Sequence, residues 1–182
     1  MYPFIRFGQT LIKSAWATRK GQMLKPWDVS EIQINSNLSD MDNFGEMNNG
    51  RVFTLFDLGR IDFAVRSGLG KLLIKNRWGL VVAGSSIRYR KRIFSGSQVT
   101  IKTRIVGLDE RWIYLEQSMW VKGEATSSAL LRTAVTGKGK ALPTQTVLDA
   151  IGHSSWTKTP EDWVQAWIDA EQLRPFPPKF DE

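Results

Sequence analysis

At 182 residues, with 42% hydrophobic and 24% charged side chains, the chain is long enough for one domain with a sizeable core and short for two. The absence of cysteine excludes a disulfide framework, a thiolate metal site and a cysteine nucleophile, and fits a cytoplasmic setting. The single histidine, His153, closes off multi-histidine metal sites and leaves a serine triad only one base, while the net charge of +7 points to an anionic partner: a phosphorylated ligand, an acidic membrane surface or nucleic acid.

The first twenty residues, MYPFIRFGQTLIKSAWATRK, read as an amphipathic helix, and Arg6 and Lys13 interrupt them too early for a secretory signal. Phe4, Phe7, Leu11 and Ala15 share one face, and Arg6, Lys13 and Lys20 another. Such a helix is expected to lie on the domain or on a neighbouring subunit, with contact to an anionic membrane surface as the lesser alternative. No run of eighteen apolar residues occurs, so no bilayer span is expected.

After a linker with Gly21, Pro26 and Asp28, the alternation of Ile32 and Ile34, extending toward Leu38, predicts a strand. A polar loop, DMDNFGEMNNG from Asp40 to Gly50, runs directly into a long apolar pattern ending near Gly68 and Gly70. Val52, Leu55, Phe56, Ile61, Phe63, Ala64 and Val65 cover most of the circumference of that helix, so other structure must wrap it. It would run roughly 28 Å, the width of a small sheet. Four strand-like segments follow with no further helix between them: 80–90, 99–108, 112–121 and 125–135, joined by turns at Phe94-Ser-Gly96-Ser, Asp109-Glu110-Arg111 and Lys122-Gly123-Glu124.

Five antiparallel strands, or more, curved around one long central helix is the simplest way to cover it, which is the α+β hotdog fold. Thr159 is placed to cap a last helix starting at Pro160, with Trp163, Ala166, Trp167 and Ala170 on one face; Pro175, Pro177 and Pro178 end it, and the final residues are expected to be mobile. The chain thus divides into an N-terminal helix and linker (1–28), a hotdog domain (29–140) and a C-terminal helical extension and tail (141–182).

A carboxylate in the 40–50 loop would stand beside a helix N-terminus, where unpaired N–H groups gather positive partial charge. That pairing suits chemistry on a carbonyl, with the carboxylate attacking or activating water and the N–H groups holding the oxyanion. Asn48 and Asn49 are capping residues, and Gly50 permits close approach of a substrate. Asp57 and Arg60 are spaced to pair along the helix, and Asp62 adds a third charge within it. Arg88, Arg90, Lys91 and Arg92 cluster at a strand end and could hold phosphates through charge-assisted hydrogen bonds. Gly137-Lys-Gly139-Lys is not a P-loop, and the basic residues lack the interleaved aromatic platform of a single-strand reader, so nucleic acid is not expected. His153 lies beyond the predicted sheet and reads as a surface residue.

The segments Asp40-Met-Asp42, Glu46-Met47-Asn48-Asn49-Gly50-Arg51-Val52 and Asp57-Leu58-Gly59-Arg60-Ile61-Asp62 resemble the signature of the 4-hydroxybenzoyl-CoA-thioesterase-like branch of the hotdog superfamily, its THEM6-type members in particular. The likeness extends from the N-terminal helix to about residue 173, including Asp109-Glu110-Arg111-Trp112 and Tyr114-Leu115-Glu116-Gln117. It implies hydrolysis of an acyl-CoA thioester without metal or other cofactor, with Asp42 as nucleophile or general base. Amides near Asn49 and Gly50 would form the oxyanion hole, Asp57 would support the site from one helical face away, and Arg88, Arg90, Lys91 and Arg92 would lie on the CoA phosphates. Open sheet edges and a large apolar tally point to a homodimer pairing two sheets edge to edge, or a dimer of dimers, and the resemblance implies that the site lies at the subunit interface. Two positions depart from the pattern: Glu46 stands where relatives carry histidine, and Val52 replaces a tyrosine. Glu46 is therefore either a substitute acid or base, or a mark of a member that binds acyl-CoA or an acyl chain without turnover. A hotdog dehydratase would need a histidine near the helix, and the sole histidine is elsewhere.

Overall fold

A computed structural model describes residues 2–178, so the expected mobile tail lies largely outside the described residues. In chain order the elements are α1 (Phe4–Arg19), β1 (Ser30–Asn35), a 3-10 turn (Leu38–Asp40), α2 (Asn49–Arg66), α3 (Leu69–Asn76), β2 (Gly79–Tyr89), β3 (Gln98–Leu108), β4 (Ile113–Val121), β5 (Glu124–Gly137), β6 (Lys140–Ala141), α4 (Thr144–Ala150) and α5 (Asp162–Leu173). All strand pairs are antiparallel, in the order β1-β3-β4-β5-β2, with β6 on the end of β5. The sheet and long helix are those of the α+β hotdog architecture.

The long helix buries Val52, Leu55, Phe56, Phe63 and Ala64 of the residues its pattern singled out, with Ile61 and Val65 half-buried. Val52, Leu55, Phe56 and Leu58 of α2 pack into one cluster with Val99, Ile101, Leu115, Met119 and Leu131 of the sheet. Gly59 lets the two approach closely: a Cβ there would lie 2.6 Å from Thr103 Oγ1 and 3.0 Å from Gln117 Nε2. Register shifts between Val82 and Gly84 and between Ile105 and Gly107 break the ladders at bulges, which increase the local twist.

The opposite side of the sheet receives α5. Val164 and Ile168 join Val106, Tyr114 and Leu130 in a second cluster. Beside it the Arg132 guanidinium lies over the rings of both Trp112 and Trp167, at 5.2 and 5.7 Å. Tyr114 is buried and donates a hydrogen bond to Asp109 Oδ2 at 2.6 Å.

Several expectations need correction. Two short helices, α3 and α4, are additional to the predicted elements. Gly68, at φ +83°, ends α2 as expected but also serves as N-cap for α3, so the break is brief. The Val147, Leu148, Ile151 spacing behind Pro143 is the signal for α4, whose Val147 and Leu148 are buried. Leu38 is exposed and belongs to the 3-10 turn, not to β1. The last helix starts at Asp162 without a side-chain cap bond, and its buried face is Val164 and Ile168, one position away from the predicted Trp163 stripe. The first helix is rotated from the expected face: Phe7 packs against the core and Leu11 is half-buried, but Thr10 and Ser14 are buried while Phe4 and Ala15 are exposed.

Two measurements test this packing. Gly59→Ala should destabilise the protein by about 1–3 kcal/mol in urea unfolding, because the added methyl has no space. Burial and the Asp109 bond push the Tyr114 phenol well above its ordinary value of 10.0. The native state therefore retains a proton that the unfolded chain gives up, and stability falls as pH rises above about 10. Tyr114→Phe should flatten that alkaline slope.

Candidate functional site

The loop before α2 is built on a buried carboxylate, but not the one implicated in chemistry. Asp40, 1% exposed, accepts two hydrogen bonds from the Arg6 guanidinium at 2.9 and 2.8 Å. It also pairs with Arg51 at 3.2 Å and accepts the Asn37 N–H at 3.0 Å. Its backbone carbonyl takes the Asn48 N–H at 2.9 Å, so one residue anchors both ends of the loop.

Between those anchors the chain makes a tight turn. Asp42 Oδ1 accepts the Phe44 N–H at 2.8 Å, and the Asp42 N–H donates to the Glu46 carbonyl at 2.8 Å. Gly45 supplies the positive φ of +74° that the turn requires. The Met47 N–H then reaches the Ile93 carbonyl at 2.8 Å, tying the loop to the chain just beyond β2. At the helix start, Asn48 is the N-cap: its side-chain oxygen accepts the Gly50 and Arg51 N–H groups at 2.9 and 3.2 Å. Among the described residues no hydrogen bond uses the Asn49 N–H.

This geometry leaves a groove of about 270 Å³ whose wall holds Asp42, Glu46 and Asn49 on one side and Arg90, Lys91 and Arg92 on the other. Glu46 pairs with Arg92 at 2.9 Å, and Lys91 with Glu124 at 2.6 Å. The groove therefore unites six of the sequence-predicted residues. Asn48 and Gly50 stand at its edge through the cap, and Arg88 is elsewhere, facing Trp163 and Trp167 on the α5 side of the sheet.

Two groove residues carry no motif and escaped the sequence reading. The Tyr89 hydroxyl donates to the Asn49 carbonyl at 3.2 Å, linking the end of β2 to the start of α2. Ser127 is buried, and its hydroxyl has no hydrogen-bond partner among the described residues. Strand alternation could have put Ser127 and Ser128 on opposite faces, but only the fold sets Ser127 against the loop.

Asp57 occupies a separate space. It pairs with Arg60, which donates to Gln117 Oε1 at 2.6 Å; Gln117 in turn donates to the Phe56 carbonyl and Thr103 Oγ1 at 2.9 and 2.8 Å. Burial lowers the Arg60 guanidinium to about 10, against the opposing influence of Tyr2. Asp57 and Arg60 open onto a cavity of about 290 Å³, otherwise lined mainly by aliphatic side chains such as Ile61, Leu80, Val82, Ile105 and Leu148. The groove and the cavity share no lining residue. His153, expected on the surface, is half-buried, its ring edge-on to Trp27 at 5.3 Å. Among the described residues no group of three or more His, Cys, Asp or Glu is arranged to hold a metal ion, and no helix is long and apolar enough to cross a membrane.

Comparison with known proteins agrees with this architecture. A family model described as the thioesterase-like superfamily matches residues 36–182. The chain is 29% identical over 174 residues to Protein THEM6 of Drosophila melanogaster, covering 93% of this chain and 86% of that protein. It is 35% identical over 94 residues to Protein THEM6 of Danio rerio, covering 52% of this chain and less than half, 46%, of the relative. A thioesterase from Thermus thermophilus, solved with coenzyme A and zinc, superposes with a TM-score of 0.60 over 69% of this chain and 98% of that one, at 23% identity.

Removing Arg6 should loosen the loop from beneath. Arg6→Ala leaves Asp40 buried with Arg51 as its remaining cation, and is expected to cost about 2–4 kcal/mol in thermal or urea unfolding. Arg6→Lys, which keeps the charge but loses the fork, should recover only part of it.

Proposed function

The chain belongs to the thioesterase-like superfamily, and from that premise we propose that it hydrolyses acyl-CoA thioesters with Asp42 as the reacting carboxylate. The observation that carries this reading is the groove itself, which Asp42, Asn49 at the start of α2 and three basic residues line together.

One Asp42 oxygen is held by the Phe44 N–H, which leaves the other for chemistry. As nucleophile, that oxygen adds to the thioester carbonyl carbon and the carbonyl pair moves onto oxygen. Collapse breaks the C–S bond, CoA leaves as thiolate, and water hydrolyses the resulting anhydride to the acid and a restored carboxylate. As base, Asp42 instead takes a proton from water as the water oxygen adds, and that proton leaves with the thiolate. In either course the Asn49 N–H donates to the oxyanion, aided by the positive end of α2. Gly50 N–H is already engaged by Asn48, so Gly50 contributes access and not a donor. Arg90 and Lys91 would meet the CoA phosphates, with Arg92 oriented by Glu46. Glu46 then serves as a positioning partner where relatives carry histidine. The Ser127 hydroxyl supplies a further hydrogen bond to the ligand.

A second reading rests on Asp57, which faces apolar space where Asp42 faces a polar groove. The cavity is about twice the 150 Å³ that holds benzene in an engineered protein core, so an acyl chain fits it, and Asp57 would then act near the carbonyl. We also propose a homodimer, further paired as a dimer of dimers, built through β2. That strand is one of the two sheet edges, β1 being the other, and its Leu80, Val81 and Val82 are partly exposed, as an edge awaiting a partner would be.

Free thiol release from a panel of acyl-CoAs separates these readings. Asp42→Ala should lower kcat by about 100-fold or more with an unchanged melting temperature, while Asp57→Asn shifts acyl preference at near-normal kcat. The reverse pattern replaces Asp42 with Asp57. Binding of acyl-CoA with no turnover in the unaltered protein would make it a binding member of the family.

A further inference from the structure

A helix lying on a domain ordinarily buries its apolar stripe and shows its polar face to water. α1 packs Phe7 against the core but leaves a second apolar stripe facing outward. Thr10 and Ser14 are buried, Arg6 is held by Asp40, and the Ser14 hydroxyl donates to buried Asp62 at 2.6 Å. Meanwhile Ile5, Ile12 and Trp16 are 80%, 73% and 59% exposed. At 3.6 residues per turn these three fall within about 40° of one another, so they form a single stripe along the outer face. The Asp40 and Asp62 bonds set the rotation of the helix. Rolling it to bury the stripe would strip partners from two buried carboxylates.

The charge around the stripe identifies what covers it. Residues 1–27 hold five Lys and Arg and no Asp or Glu. Arg6 is engaged inward, which leaves Lys13, Arg19, Lys20 and Lys25, all exposed. Lys13 and Lys20 flank the stripe on one side and Arg19 on the other, and the Lys20 ammonium lies 3.5 Å over the Trp16 ring. Aliphatic and tryptophan side chains rimmed by cations, with no anion among them, match the boundary between anionic headgroups and acyl chains. We propose that α1 is an interfacial helix that seats this protein on an anionic membrane surface, with Ile5, Ile12 and Trp16 entering the lipid and Lys13, Arg19 and Lys20 on its phosphates. Pairing of this face with the same face of a second copy would set each cation against its counterpart with no carboxylate on the helix to offset them. The proposal is independent of which carboxylate performs chemistry.

Co-sedimentation of the full chain with vesicles tests it. Binding is expected to vesicles of phosphatidylcholine mixed with phosphatidylglycerol, to be much weaker to phosphatidylcholine alone, and to be reversed by high salt. Lys13→Gln and Lys20→Gln should each weaken it by about five-fold, and Ile12→Ser with Trp16→Ser by at least ten-fold, all with unchanged melting temperature and thiol release from a soluble acyl-CoA. Equal recovery in the supernatant with and without anionic vesicles overturns the proposal, as does binding that the stripe variants leave intact. A fall in oligomeric order of the Ile12→Ser, Trp16→Ser variant without vesicles also overturns it, making the stripe an interface between copies; so does capture by an acidic protein with no vesicle binding.

Discussion

One carboxylate sealed from water organises the working end of this protein. Asp40 is encircled by Arg6 from α1, Arg51 from α2 and the Asn37 N–H of the preceding chain. A buried charge is tolerable only when its partners are complete, so these three parts of the chain must assemble together. The loop that carries Asp42 has little freedom left once both of its ends are tied to the same residue. A polar turn made almost entirely of small or flexible side chains thereby acquires a defined shape.

Asp62 repeats the device further along α2, accepting hydrogen bonds from Ser14 and Ser30 and an ion pair from Arg66. Together the two aspartates fix the rotation of α1, which adds Phe7 to the core and leaves Ile5, Ile12 and Trp16 outside. Hydrophobic burial dominates where α2 meets the sheet, whereas buried hydrogen bonds and ion pairs contribute more to the attachment of α1.

The groove and the cavity divide polar and apolar duties between the two ends of α2. Near its N-terminus the helix lies beside a carboxylate and a basic strand end. Two turns later it turns Asp57 and Arg60 toward aliphatic walls. The Arg60–Gln117 bond and the missing side chain at Gly59 keep the helix close enough to the sheet for both spaces to exist.

Much of this was legible in the residues themselves. The alternation in 99–108 and the circumferential apolar pattern of 49–66 specify strand and wrapped helix because side-chain periodicity is a local property. The DMD and EMNNGR segments likewise marked a carboxylate at a helix start. What sequence could not supply was partnership at long range. That Asp40 is buried, and that the cation holding it is Arg6, thirty-four positions away, depends on the fold. That Ser127 and Tyr89 line the groove while Arg88 does not depends on which face of the sheet each strand presents. The amphipathic pattern of α1 predicted that one face would be covered, but its rotation followed from two buried charges elsewhere. Local periodicity determines what an element is; only the folded chain decides which charges must be satisfied, and therefore which way that element faces.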